Sequence, residues 1–142
     1  SKCLEEAYFL YFNTRKDIKL NLIKPENDIY FHFDTLQISR CFNNLIKNAI
    51  EAVEKIPNPA VEVLIATDVK NIKIEIKDNG VGIDEKMLSK IFEPYFTTKT
   101  KGTGLGLSIV KRIIEDHGGK IKIEKNKNMA GTTSLINFEY NA

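Results

Sequence analysis

Period-two and helical patterns take turns along this chain. From Asp17 to Ile23, the residues Ile18, Leu20 and Leu22 fall on one face and predict a half-buried strand. Pro25, Asn27 and Asp28 punctuate, and residues 29–33 read as a second short strand. Asp34 or Thr35 can cap a long helix that runs to about Ile56 and is stopped by Pro57 and Pro59. Residues 61–67 and 71–78 read as two further strands with 68–70 as their turn. A glycine- and threonine-rich stretch, 79–106, leads into an amphipathic helix from about Leu105 to Asp116, with Ile109, Val110, Ile113 and Ile114 inward. Gly118 and Gly119 end it, and residues 120–124 and 132–140 close the chain as a hairpin. The predicted fold class is α/β, a two-layer sandwich with a mixed, roughly five-stranded sheet and about three helices on one face. Residues 1–16 have helical spacing but no start signal, and read as the tail of a helix from a preceding domain. The folded domain is expected at 17–142.

Composition narrows the function classes. Hydrophobic residues make up 42% and charged residues 28%, which fits a globular domain and no disordered tail. The 21 basic and 19 acidic residues leave a net charge of +2, too balanced for a protein that binds nucleic acid by neutralising phosphates. Cys3 and Cys41 are far apart and suggest neither a disulfide scaffold nor a zinc site. No apolar run is long enough to span a bilayer, and Ser1 opens no signal peptide, so the domain is expected in the cytoplasm without direct membrane contact, with membrane anchoring of a full-length protein left open.

Three places can carry chemistry. On the long helix, Asn44, Lys47, Asn48, Glu51 and Lys55 share an arc of about 100°. Two asparagines one turn apart are either part of a solvated face or a source of amide oxygen for a hard cation such as Mg²⁺. In the strand 71–78, Ile72, Ile74 and Ile76 share one face, and the same parity turns Asp78 inward. A buried carboxylate must meet a polar partner. Asp78 opens D-N-G-V-G-I (78–83), so it serves either a self-bonded turn or a ligand that approaches past Gly80 and Gly82. Finally, G-T-G-L-G-L-S (102–108) runs into a helix, where glycine N–H groups and the helix dipole make an anion site. It lacks the endings of a P-loop and of a dinucleotide fingerprint. The segment between the glycine clusters, with Lys99 and Lys101, has the length of a mobile lid. His32 and His117 read as structural, and no hydrolase motif is present.

In order and spacing these segments resemble the ATP-binding catalytic domain of bacterial sensor histidine kinases, within the gyrase, chaperone and mismatch-repair ATPase superfamily. N-N-L-I-K-N-A-I-E-A (43–52) resembles the asparagine box, and D-N-G-V-G-I (78–83) the first glycine box. I-F-E-P-Y-F-T-T-K (91–99) resembles the phenylalanine box, G-T-G-L-G-L-S-I-V (102–110) the second glycine box, and G-T-T (131–133) its terminal counterpart. The run from Glu93 to Gly119 is most similar to nitrogen-regulation-type sensor kinases.

The resemblance implies roles for individual residues. Asn48 would hold Mg²⁺ through its amide oxygen, with Asn44 beside the triphosphate. Asp78 would accept a hydrogen bond from the adenine amino group. Gly80, Gly82, Ile83 and Thr132 would line the purine side. Gly102, Thr103, Gly104, Leu105 and Gly106 would wrap the phosphates, and Lys99 would be their cationic contact. Glu51 and Ala52 stand where many sensor kinases carry a lysine or an aromatic residue. Asn44 stands where ATP-hydrolysing members place a glutamate base, which argues against efficient ATP hydrolysis. The implied cofactors are ATP and Mg²⁺, and the implied partners are a phosphoacceptor helical hairpin of the same kinase and a response regulator. Neither histidine has the helical context of an acceptor, so no catalytic residue is expected in this chain. Two other functions fit the same nucleotide boxes: a serine protein kinase of the anti-sigma-factor type, and a nucleotide-binding module without transfer activity.

Overall fold

The computed structural model describes residues 19–23, 35–67, 71–88, 90–93, 106–127 and 129–139. In chain order these form β1 (Lys19–Ile23), α1 (Thr35–Val53), β2 (Ala60–Thr67), β3 (Asn71–Asp78), the single turn α2 (Glu85–Leu88), α3 (Gly106–Asp116), β4 (Gly119–Lys125) and β5 (Thr132–Glu139). The segments expected as a connecting helix (1–16), a short strand (29–33) and a hairpin turn (68–70) lie outside the described residues, as do 94–105.

The strands form one mixed sheet in the order β1-β2-β3-β5-β4. β1 runs parallel to β2, with Leu20 opposite Val61 and Leu22 opposite Val63, and every other pairing is antiparallel. Alternation decides the faces. Val61, Val63 and Ile65 of β2, Ile72, Ile74 and Ile76 of β3, and Ile136 and Phe138 of β5 are all buried under the helices. α1 lays Ile38, Cys41, Phe42, Leu45, Ile46, Ala49, Ile50 and Val53 onto that layer. α3 adds Val110, Ile113 and Ile114. Each fully buried Val, Leu, Ile or Phe among them contributes roughly 1.5–3 kcal/mol by leaving water.

Two expectations shift in detail. α1 ends at Val53, and residues 54–56 continue only as a turn, with the Ile56 N–H on the Val53 carbonyl at 3.2 Å. Pro57 leads the chain into a left-handed Asn58 (φ 52°), which no helix can continue. Ile109, expected inward, is 42% exposed. At 100° per residue it lies beyond the arc that carries Leu107, Val110, Ile113 and Ile114, and α3 wedged between α1 and β4 buries only that arc.

Candidate functional site

The parity of β3 does bring Asp78 inside, where it is 6% exposed. Its Oδ1 accepts two backbone N–H groups, from Gly80 at 2.9 Å and from Thr132 at 3.3 Å. Burial pushes the carboxyl above its ordinary value, and the two N–H donors pull back in the opposite direction. Asn79 turns the other way. Its Oδ1 accepts the Ala60 N–H at 2.8 Å and its Nδ2 donates to the Asn58 carbonyl at 2.9 Å, so the loop is pinned to the α1–β2 connection and the start of β2. Gly80 then passes directly against α1. A Cβ there would be driven into the Ala52 backbone, and the Val81 N–H reaches the Ala52 carbonyl at 3.4 Å. Gly82 follows in the left-handed region (φ 77°), facing Gly131, and Ile83 is half-buried.

The other wall is the turn between β4 and β5. Thr132 is buried on the same face as Ile136 and Phe138, as its parity implied. A residue that the sequence reading missed organises this turn. Asn126 donates through Nδ2 to the Asp78 carbonyl at 2.7 Å and to the Ala130 carbonyl at 3.0 Å. Its Oδ1 accepts the Thr133 hydroxyl, and its own N–H bonds the Gly131 carbonyl at 3.0 Å. Gly131 has φ 110°, and a Cβ there would collide with the Asp78 carbonyl and sit 2.8 Å from Asn126 Nδ2. The only hint in the sequence was an asparagine placed where β4 ends, five positions before the glycine of G-T-T.

The second cluster lies one to two turns earlier on α1. Asn44 and Asn48 are half-buried, and Asn48 Nδ2 donates to Asn44 Oδ1 at 3.0 Å. The first residue of α3 abuts them, since a Cβ on Gly106 would come 2.8 Å from Asn44 Nδ2. The start of an eleven-residue helix, where the N–H groups have no partner within the helix and the dipole end is positive, is thereby set beside the asparagines. Asn44, Asn48 and Ala52 are spaced by four along α1, so one helix measures about 12 Å from the Gly106 contact to the Gly80 contact. Lys47 and Glu51 pair at 4.0 Å on the outer side.

Beside this cluster a shallow cleft is lined by Arg40, Cys41, Asn44, Gly106, Ile109 and Ile113. Burial raises the Cys41 thiol to about 11, against a smaller pull from Arg40, so it stays protonated at neutral pH; its Sγ lies 3.9 Å from the Val110 carbonyl. His117 is structural, its Nδ1 donating to the Ile113 carbonyl at 2.7 Å. Among the described residues no group of three or more His, Cys, Asp or Glu side chains could hold a metal. The side-chain oxygens of the asparagine pair are neutral amide oxygens, a donor type that a hard cation which keeps waters accepts. Lys99, Gly102, Thr103, Gly104 and Leu105 fall outside the described residues, so the structure brings together Asn44, Asn48 and Gly106 at one end and Asp78, Gly80, Gly82 and Thr132 at the other.

Known proteins resemble this chain in sequence and in fold. Sporulation kinase A of Bacillus subtilis is 41% identical over 113 residues, 80% of this chain. The nitrogen regulation protein NtrY of Azorhizobium caulinodans is 40% identical over 96 residues, 64% of this chain. The chain spans only 18% and 12% of these two proteins. The solved catalytic domain of histidine kinase ThkA superposes with a TM-score of 0.85 at 33% identity, covering 97% of this chain and 90% of that one. ThkA in complex with the response regulator TrrA matches at 29% identity and a TM-score of 0.81, with 97% of this chain and 39% of that one covered. The family described as "Histidine kinase-, DNA gyrase B-, and HSP90-like ATPase" matches residues 33–141. On that match, across well over half its length, the chain belongs to this ATPase family.

Proposed function

We propose that this domain binds Mg²⁺-ATP and donates the γ-phosphoryl group to a histidine on a helical hairpin domain of the same sensor kinase. A response regulator then takes the group onward, as the ThkA–TrrA pairing suggests. One observation carries the reading: a carboxylate, Asp78, kept buried at an energetic cost, with both of its hydrogen bonds taken by Oδ1. An adenine amino group offers the N–H that the second oxygen accepts. A 6-oxo purine would set oxygen against oxygen.

From that end, α1 carries the ligand towards the α3 N-terminus. Asn48 would hold Mg²⁺ through its amide oxygen, and Asn44 would lie beside the phosphates. Bound there, Mg²⁺ offsets phosphate charge. Gly106 and the preceding residues 102–105 offer N–H groups to phosphate oxygens, and Lys99 adds a cation. The chain's task is to orient and to stabilise charge, most of what phosphoryl transfer asks of a protein. An imidazole nitrogen of the acceptor forms the new bond to γ-phosphorus. The bond to the bridging oxygen breaks, ADP leaves, and the imidazole proton passes to a base on the acceptor domain. Residues 1–16 read as the end of the helix leading from that domain. A domain fed by ATP in this way works in the cytoplasm, and no described helix is long and apolar enough to cross a membrane.

The test is transfer in trans. Alone with radiolabelled ATP and Mg²⁺, the chain is expected neither to label itself nor to release phosphate at a useful rate, because Asn44 replaces the water-activating glutamate. A relative's phosphoacceptor hairpin should acquire acid-labile label, slowly for want of tethering. Acid-stable label on a protein partner would favour the serine kinase, rapid phosphate release would favour an ATPase, and tight ATP binding with no transfer would favour a binding module.

A further inference from the structure

We propose that Asn126 is a positioning residue for purine recognition, acting through Asp78. This inference rests on the adenine reading of Asp78. The bond that matters is Thr132 N–H to Asp78 Oδ1, and Asn126 holds both of its ends. On one side it grips the Asp78 backbone carbonyl at 2.7 Å. On the other it brackets Thr132, through the Ala130 carbonyl, the Gly131 carbonyl and the Thr133 hydroxyl. Both N–H groups of its amide and its one oxygen are engaged, so the side chain has a single orientation that satisfies them. Gly131 passes so close over the Asp78 carbonyl that a Cβ there would collide with it, so the turn and the end of β3 touch directly at this point. Thr132 is buried, so bulk solvent has little access to replace its amide as a donor to Oδ1. Loss of the Asn126 amide therefore frees the turn from the end of β3. Oδ1 loses a donor that it can recover only by rotating towards the purine side, where its partner oxygen must face the ligand.

A merely structural asparagine would lower stability and leave base choice alone. A positioning one changes base choice. The experiment measures ATP and GTP affinities by calorimetry, with Mg²⁺, for wild type, Asn126→Ala, Thr133→Val and Asp78→Asn. Thr133→Val keeps the side-chain shape, strips the hydroxyl that orients the Asn126 amide, and leaves Asp78 intact. Asn126→Ala is expected to weaken ATP binding roughly tenfold and to lower the ATP:GTP preference, with Thr133→Val moving both the same way to a smaller extent. The Thr132 amide should also exchange faster with solvent in both. If Asn126→Ala does not accumulate folded, the Thr133→Val ratio decides alone. An unchanged ratio in these variants, beside a changed ratio in Asp78→Asn, overturns the proposal. An unchanged ratio in Asp78→Asn overturns the adenine reading and this proposal with it.

Discussion

At the scale of the residue, Asp78 is a group whose folded environment works against its charge. Its carboxyl is raised by burial above the ordinary value of 3.8. A group raised on folding adds stability that is fully present below the unfolded value and is lost as pH rises through the folded one. At neutral pH the ionised side chain therefore weighs against the fold. Asp78→Asn keeps an oxygen for the two backbone N–H groups and removes the buried charge. Without nucleotide, its melting temperature at pH 7 is expected to equal or exceed that of wild type, with the advantage shrinking below about pH 4. With ATP the order reverses: losing a charged hydrogen bond typically costs ~1.5–3 kcal/mol, roughly tenfold or more in affinity. Paired melting curves at the two pH values and a calorimetric titration check both halves. The inward position of Asp78 could be read from two-residue periodicity alone. Asn126 could not, because its bond joins residues 48 apart and no local pattern records a contact made across the sheet.

At the scale of the element, α3 separates what helical spacing reveals from what it leaves open. The sequence displays four apolar residues in the pattern i, i+1, i+4, i+5, and a helix follows from them. How wide an arc becomes buried depends on what the helix meets, and α3 meets α1 and β4 over the arc of Val110, Ile113 and Ile114. Ile114→Ala empties a fully enclosed position and is expected to cost ~2–5 kcal/mol, whereas Ile109→Ala at an exposed edge should stay within ~0.5 kcal/mol. Urea unfolding of the two variants tests the distinction. The same helix also braces the chain that precedes it. Lys111 lies 5.2 Å from the centre of the Phe92 ring and 3.9 Å from Glu115, so the start of the phenylalanine box rests on the outer side of α3.

For the whole molecule, the boxes that stand apart in sequence converge because two connections cross the sheet. β3 ends at Asp78 beside the β4–β5 turn, and α1 spans the layer above them. The parallel placement of β1 beside β2 was not legible, since alternation fixes a strand's faces and says nothing about its neighbours. A ligand that bridges the two ends should stabilise the fold as a unit. Saturating Mg²⁺-ATP at about 100 times its dissociation constant adds ~2.7 kcal/mol and should raise the melting temperature by several degrees. GTP at the same concentration should raise it far less, and equal shifts would argue against selective purine binding.

Because a single rigid rod carries both contact points, changes of length within 44–52 are expected to be punished where changes of identity are not. Lys47 sits on the outer side of that rod and is exposed, so Lys47→Ala should leave nucleotide affinity near wild type. One alanine inserted between Asn48 and Ala52 would turn Asn44 by about 100° and shift it about 1.5 Å relative to Ala52. Either the Gly80 seat or the Gly106 seat must then be abandoned, although composition and helix propensity hardly change. Four inserted alanines nearly restore the direction but separate the seats by about 6 Å more. Both insertions should abolish calorimetric ATP binding, and retention of helical circular dichroism would show that lost spacing is the cause.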